Sequence, residues 1–181
     1  GSLQGIYYPS ELRRIVPFLR EHRLGPFREP LGYLVPTRFD GAGLTGEIAR
    51  DAPIEQTVSC PVPFLEDVEV YVASTSTAEP FSMTLTLDRD GEEVARRVFV
   101  DRKFSKWGWL VLRLPRPLAC AGRTLTVRLA GGDATPATGV LAWTYPAYYE
   151  GRLSRGGAPV HPGQGLILAL NGLDSGYLGG Y

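Results

Sequence analysis

The stretch Leu65-Glu-Asp-Val-Glu-Val-Tyr-Val72 decides the fold class, because its side chains alternate with a period of two. The two alternating sets are Val68, Val70 and Val72 against Asp67, Glu69 and Tyr71. Successive side chains of a β-strand point to opposite faces of the sheet. This pattern therefore predicts a strand with valines buried on one face and the polar set on a solvated face.

The same period recurs elsewhere between Tyr33 and the C-terminal region. The alternating sets are Ile54, Gln56 and Val58 against Glu55, Thr57 and Ser59; Leu85 and Leu87 against Thr84, Thr86 and Asp88; and Leu125, Val127 and Leu129 against Thr126 and Arg128. Asp88-Arg-Asp-Gly91 predicts a hairpin turn, because Asp-Gly adopts positive φ readily. We expect further strands over residues 93–100, 109–114, 139–145 and 166–170.

Composition narrows the function classes. The 181 residues include 44% hydrophobic residues, and 19 Lys+Arg balance 19 Asp+Glu, which is typical of one folded domain. Zero net charge without a basic run argues against nucleic acid as a partner. Apolar stretches stay far below the roughly 20 residues that span a bilayer, so we expect no transmembrane segment. Seventeen arginines against two lysines suggest a GC-rich, bacterial genome.

Eight or so short strands without βαβ alternation predict an all-β fold, an antiparallel two-sheet jelly-roll β-sandwich over residues 33–173. Residues 1–32 read as a remnant of tag removal, Gly1-Ser2, followed by a short, basic, amphipathic N-terminal helical leader. Such a leader could pack on the domain or lie on an anionic membrane surface, and we favour the first. Residues 174–181 form a Gly-rich tail.

Three motifs that suggest chemistry have simpler explanations. Gly41-Ala-Gly-Leu-Thr-Gly46 matches a dinucleotide fingerprint but lacks the flanking strand and helix, so we interpret it as a loop. Asp88-x-Asp90-Gly91 lacks the later oxygen ligands of a calcium loop. We expect no cofactor, although scattered carboxylates leave a structural calcium ion open.

Cys60 and Cys120 are interpreted as two unrelated, half-buried thiols, with a disulfide as the alternative in an oxidising compartment.

Aromatic residues beside basic ones provide the candidate binding site. Trp107 lies near Arg102 and Lys103, and a second aromatic group includes Tyr148 and Tyr149. Flat rings stack on the C–H patches of sugars, while charged groups pair with hydroxyls. These five residues are therefore the predicted glycan-binding residues. Trp109 and Trp143 are more simply explained as core residues of strands.

A resemblance is carried by a run of short segments. The segments are Gly46-Glu-Ile48, Ile54-Glu-Gln-Thr57, Leu65–Val72, Leu85-Thr-Leu87, Trp109, Gly122-Arg-Thr-Leu-Thr-Val-Arg-Leu129 and Val140-Leu-Ala-Trp143. This run resembles galactose-binding-like, carbohydrate-binding β-sandwich domains attached to bacterial membrane-associated glycosyltransferases and cell-surface glycan assembly proteins. The resemblance implies a non-catalytic accessory domain of a larger membrane-associated parent, on the extracytoplasmic side of the cell envelope.

Three functions follow as expectations. The first is a glycan-binding module, and the second is a structural or protein-interaction domain that docks on its parent or self-associates. The third is a small hydrolase, which requires two carboxylates held at a fixed separation in a cleft. We expect the first, with no catalytic residue in this chain.

Overall fold

The computed structural model describes residues 42–74, 82–100, 108–131, 139–146 and 150–173. These residues form twelve β-strands, and they contain no helix. The strands are β1 (Gly43–Leu44), β2 (Ile54–Ser59), β3 (Phe64–Ser74), β4 (Ser82–Arg89), β5 (Glu92–Val100), β6 (Gly108–Ala119), β7 (Thr124–Gly131), β8 (Val140–Pro146), β9 (Gly151–Arg155), β10 (Ala158–Pro159), β11 (Gln164–Leu166) and β12 (Leu168–Leu173).

The strands form two six-stranded sheets in which every pairing is antiparallel. In the first sheet, β3 pairs with β6 along one edge and with β12 and then β8 along the other. β8 also pairs with β1 and β11. The second sheet has the order β10-β9-β2-β7-β4-β5. The expected all-β, two-sheet antiparallel architecture is confirmed.

The main hydrophobic core lies between the sheets and follows the period of two. Its inward side chains include Val68, Val70 and Val72 of the first sheet and Ile54, Val58, Leu125, Val127 and Leu129 of the second. Gln56 is also buried, as its place in the alternation predicts, and its Oε1 accepts a hydrogen bond from the Leu166 backbone N–H at 2.9 Å. This bond joins the two sheets and satisfies a polar group that would be costly to bury alone.

Hairpin turns connect neighbouring strands of the second sheet. Asp90 and Gly91 both have positive φ, 51° and 86°, in a two-residue turn between β4 and β5, which confirms the predicted hairpin. A second hairpin joins β9 to β10 through Gly156 and Gly157, whose φ values are also positive. We did not predict this one, because its flanking strands are too short for alternation to be visible.

Cys60 and Cys120 form a disulfide, with their Cα atoms 5.9 Å apart, and both side chains are buried. The interpretation as two unrelated, half-buried thiols is wrong. Cys60 follows β2 of the second sheet and Cys120 follows β6 of the first, so strands far apart in sequence bring them together. The bond therefore links the two sheets covalently at one end.

Strand β6 is an edge of the first sheet among the described strands, since it pairs only with β3. The register of this pairing shifts between Leu65 and Asp67, and the extra residues on β6 include Pro115 and Pro117. Proline lacks a backbone N–H and is tolerated at edges and bulges. The shift thus places both prolines where the ladder needs no donor from them.

The described part of the G-x-G-x-x-G segment, residues 42–46, is not helical, but the short strand β1 interrupts the expected loop. Gly43 lies in β1, and residues 45–48 are not helical. The Gly46 carbonyl oxygen accepts a hydrogen bond from Nη2 of Arg155 at 3.1 Å. Without a helix N-terminus, this segment lacks the group that binds a pyrophosphate in dinucleotide folds.

The predicted leader, residues 1–32, and the predicted Gly-rich tail, residues 174–181, lie outside the described residues. Among the residues that are described, no helix is long and apolar enough to cross a membrane.

Candidate functional site

Strand β3 is buried on both faces, unlike the half-buried strand that its alternation predicts. Glu69 and Tyr71 point away from the core between the sheets, yet each is only 7% exposed. The prediction of a solvated polar face is wrong here because a second hydrophobic cluster lies on this side. We call this side of the first sheet the outer face; it comprises Asp67, Glu69, Tyr71, Trp109, Val111, Arg113, Trp143, Tyr145, Ile167, Ala169 and Asn171.

Three aromatic rings form a row across the outer face. Tyr71 is the direct cross-strand partner of Trp109, and their ring centroids are 4.8 Å apart with planes inclined at 45°. On the other side, the centroids of Tyr71 and Trp143 are 6.2 Å apart. Ile167 bridges the two strands there, because its backbone N–H donates to Trp143 and its carbonyl accepts from Tyr71. The row therefore spans β6, β3 and β8.

Two donors of this row are unsatisfied. Trp109 is 3% exposed, and Nε1 of Trp109 and Nε1 of Trp143 are both buried without a hydrogen-bond partner among the described residues. A buried indole N–H normally finds an acceptor, since leaving it unpaired costs roughly 1–3 kcal/mol. Two such donors on one face are therefore hydrogen-bond donors that the described side chains leave without an acceptor.

Two carboxylates and one amide lie beside the row. Nδ2 of Asn171 donates to Oδ1 of Asp67 at 2.5 Å and to Oε2 of Glu69 at 2.8 Å. Oδ1 of Asn171 is buried and has no hydrogen-bond partner among the described residues. The three side chains therefore form a compact polar group in which Oδ1 of Asn171 is a buried acceptor without a partner.

Burial raises the pKa of both carboxyl groups. The pKa of Glu69 rises to about 7, chiefly through loss of solvation and then through repulsion from Asp67. The pKa of Asp67 is also raised, with desolvation as the main cause, while Asn171 and Arg113 oppose the shift. Near neutral pH, Glu69 is thus poised between its protonated and ionised forms.

Irregular pairing on both sides of β3 places the polar group. The β3–β6 register shifts next to Asp67, and the β3–β12 register shifts between Asn171 and Gly172. A Cβ on Gly172 would lie 2.2 Å from the Phe64 carbonyl oxygen, so this position requires glycine. Bulges reorient neighbouring side chains and are common beside functional sites. The two irregularities meet at the carboxylate pair.

The predicted glycan-binding residues Arg102, Lys103, Trp107, Tyr148 and Tyr149 all lie outside the described residues and remain predictions. The strands to which they are joined are described. β6 begins at Gly108 and β8 ends at Pro146, and both run antiparallel to β3.

Trp109 and Trp143 lie in strands, as expected, but not in the core between the sheets. Both belong to the outer-face cluster, where Trp109 is buried and Trp143 is partly buried. Asp67, Glu69 and Asn171 were not among the predicted site residues. The sequence does place Asp67, Glu69 and Tyr71 on one face of a strand. This pattern is the same as that of an ordinary solvent-exposed strand face, so it did not mark a site.

Asp90, in the turn between β4 and β5, has a structural role. Asp90 pairs with Nε of Arg123 and also accepts a hydrogen bond from the Thr124 backbone N–H. The bond from Arg123 is the main cause of the lowered pKa of Asp90. Within the described ranges, no group of three or more His, Cys, Asp or Glu side chains could hold a metal ion.

Fold and site together define the class: an all-β domain of two antiparallel sheets with an aromatic and acidic outer face on one of them. A family of unknown function, DUF6212, matches residues 10–151, and the chain belongs to this family. A search among curated proteins finds no match.

Proposed function

We propose that this domain is a non-catalytic carbohydrate-binding module of a larger bacterial glycan-assembly protein, with its sugar site on the outer face. The observation that carries the proposal is the aromatic row with two unpartnered indole N–H groups. Sugar-binding surfaces combine flat rings with a few placed polar groups. Trp143 and Tyr145 are only partly buried, so a ligand would approach over this side of the row.

The polar group beside the row supplies the second requirement. A sugar hydroxyl both donates and accepts hydrogen bonds. The carboxylates of Asp67 and Glu69 and Oδ1 of Asn171 offer acceptors, whereas the two indoles offer donors. A ring stacked on Trp143 could therefore satisfy groups that have no partner among the described side chains.

The carboxylate pair favours binding over hydrolysis. A glycosidase needs its scissile bond, or a water molecule, between the two carboxyl groups. Here Nδ2 of Asn171 bonds to both carboxylates and occupies this position. This arrangement supports a non-catalytic role for the pair.

Two further features support the jelly-roll topology and the extracytoplasmic location that we propose for this domain. The chain changes sheet at every connection except β4–β5, β9–β10 and β11–β12, which is compatible with a jelly roll. The Cys60–Cys120 disulfide would persist in an oxidising compartment, which supports a place on the extracytoplasmic side of the cell envelope. The remainder of a membrane-associated parent would be the protein partner there.

A fluorescence titration with bacterial surface oligosaccharides tests the proposal. We expect saturable quenching of tryptophan emission by one sugar class, and its loss in Trp143→Ala. Arg128→Ala, on the solvated face of the second sheet, is the matched control and should bind normally. Trp107→Ala tests the predicted loop site in the same assay. No response from folded protein across the panel would overturn the proposal.

The partly exposed aromatic side chains of Trp143 and Tyr145 on the outer face favour a second candidate, a protein-interaction domain. Buried aromatic side chains are typical anchors of interfaces. If this candidate is correct, Trp143→Ala would change self-association or docking to the parent, as measured by sedimentation, without any sugar response in the unmodified domain.

A further inference from the structure

We infer that the outer face selects glycans bearing a positively charged amino group, which would lie between the aromatic row and the carboxylates of Asp67 and Glu69. This inference rests on the proposed function, because it names the sugar class for the same site.

The charges of the site are unbalanced. Asp67 lies directly across from Arg113, and among the described residues Arg113 is the basic group whose charge acts on both carboxyls. Asn171 is neutral and is shared between them. Two partly desolvated acids thus face one exposed base, Arg113, and Glu66 adds a further negative charge near Asp67, although buried charges are normally paired. An ammonium group would supply the missing positive charge.

The neighbouring rings suit the same group. Glu69 is the cross-strand partner of Val111. Trp109 is the next residue of β6 on the outer face, and its ring centroid lies 4.8 Å from that of Tyr71. Aromatic faces attract an ammonium group within about 6 Å of the ring centroid. A cation beside Glu69 would therefore meet both a carboxylate and an aromatic surface.

The unpartnered indole of Trp109 is an independent pointer to a ligand, and to a particular kind. Its Nε1 is buried and has no acceptor among the described residues. A bare metal ion could not accept this hydrogen bond, whereas a sugar hydroxyl can. The combination of carboxylates, rings and an indole donor thus fits an amino sugar better than a simple cation.

Binding of an amino sugar at this site would be coupled to the protonation of Glu69. Burial and Asp67 raise the pKa of Glu69 to about 7. An ammonium group beside Glu69 would lower that pKa, so Glu69 would lose its proton on binding, while the ligand amine, held as ammonium by the carboxylates, takes up any proton that it lacks. A neutral sugar would not produce this release at Glu69.

The test compares glucosamine trisaccharide with its fully N-acetylated counterpart by calorimetry near neutral pH, in two buffers of different ionisation enthalpy. We expect the aminated ligand to bind about 10- to 100-fold more tightly, with a net proton exchange that shifts towards uptake in Glu69→Gln. In Glu69→Gln and Asp67→Asn this preference should fall towards unity. Glu55→Gln, on the second sheet, should keep it. A lysine tripeptide of equal charge controls for non-specific attraction.

Each outcome separates the two proposals. Equal binding of both sugars would overturn the inference and leave the proposed function standing. Binding of neither would overturn the inference, and the oligosaccharide panel then decides the proposed function. If Glu69→Gln and Asp67→Asn keep the preference for the aminated sugar, these carboxylates do not select it. Tight binding of the lysine tripeptide would show that the site attracts any cation and does not select an amino sugar. Thermal melts of both variants confirm that they are folded.

Discussion

The outer face of the first sheet and the outer face of the second sheet come from similar sequence patterns but have different environments. In β2, Glu55 and Ser59 alternate with buried residues and are exposed, and Glu55 lies 3.5 Å from Nε of Arg128. In β3, Glu69 occupies an equivalent place in the alternation and is almost completely buried. Alternation identifies which residues share a face, but not whether solvent reaches that face.

The largest expected effect tests whether the first sheet's outer face is a true second core. Trp109→Ala should lower the free energy of unfolding by about 3–5 kcal/mol, because a large buried ring is removed. The matched change on the second sheet, Arg128→Ala, should stay within about 0.5 kcal/mol. Urea denaturation measures both, and similar costs for the two variants would contradict the burial of Trp109.

The next effect concerns the covalent link between the sheets. Replacing both Cys60 and Cys120 by Ala should cost roughly 2–4 kcal/mol of stability, through greater freedom of the unfolded chain. Denaturant unfolding with and without reductant checks this prediction. Reductant should destabilise the unmodified domain but not the double variant; equal sensitivity would mean that the bond is absent in solution.

A pH series contrasts Glu69 with the solvated acids of the second sheet. Below about pH 4.5 Glu69 is protonated whether folded or unfolded; between about 4.5 and about 7 only the folded state keeps its proton. Stability contributed by this group therefore falls as pH rises through that window. Glu69→Gln should gain about 1–3 kcal/mol near pH 8 and nothing near pH 4.

The control for this series is Glu55→Gln, the same substitution at an exposed position of the second sheet. A Glu69→Gln variant that is less stable than the unmodified domain near pH 8 would show that the ionised form of Glu69 is stabilised by a paired cation.

The smallest expected change in stability concerns the β4–β5 turn of the second sheet, whose conformation depends on its own backbone angles. Gly91 has φ of 86° and open space where a Cβ would lie. Gly91→Ala should therefore cost about 1–2 kcal/mol from backbone strain alone. Chemical denaturation beside the neighbouring Glu92→Ala variant, expected within about 0.5 kcal/mol, checks this value. A larger cost would indicate that the turn makes contacts beyond its backbone.

Sequence reasoning succeeded where structure depends on neighbours along the chain. The alternation in β2 and β7 and the Asp90-Gly91 turn follow from local geometry, and all were predicted correctly. The Cys60–Cys120 bond and the grouping of Asp67, Glu69 and Asn171 depend on strand order. Asn171 is about a hundred residues from Asp67, and no local pattern pairs them.

The prolines of β6 have a consequence for molecules packed closely together. An open sheet edge can add a strand from a second molecule and so begin an extended aggregate. Pro115 and Pro117 withhold two donors from this edge, and Arg97 donates its Nη1 to the Val111 carbonyl at 2.8 Å, occupying an acceptor. Crowded copies of this domain should therefore resist polymerising through β6 and remain separate folded units.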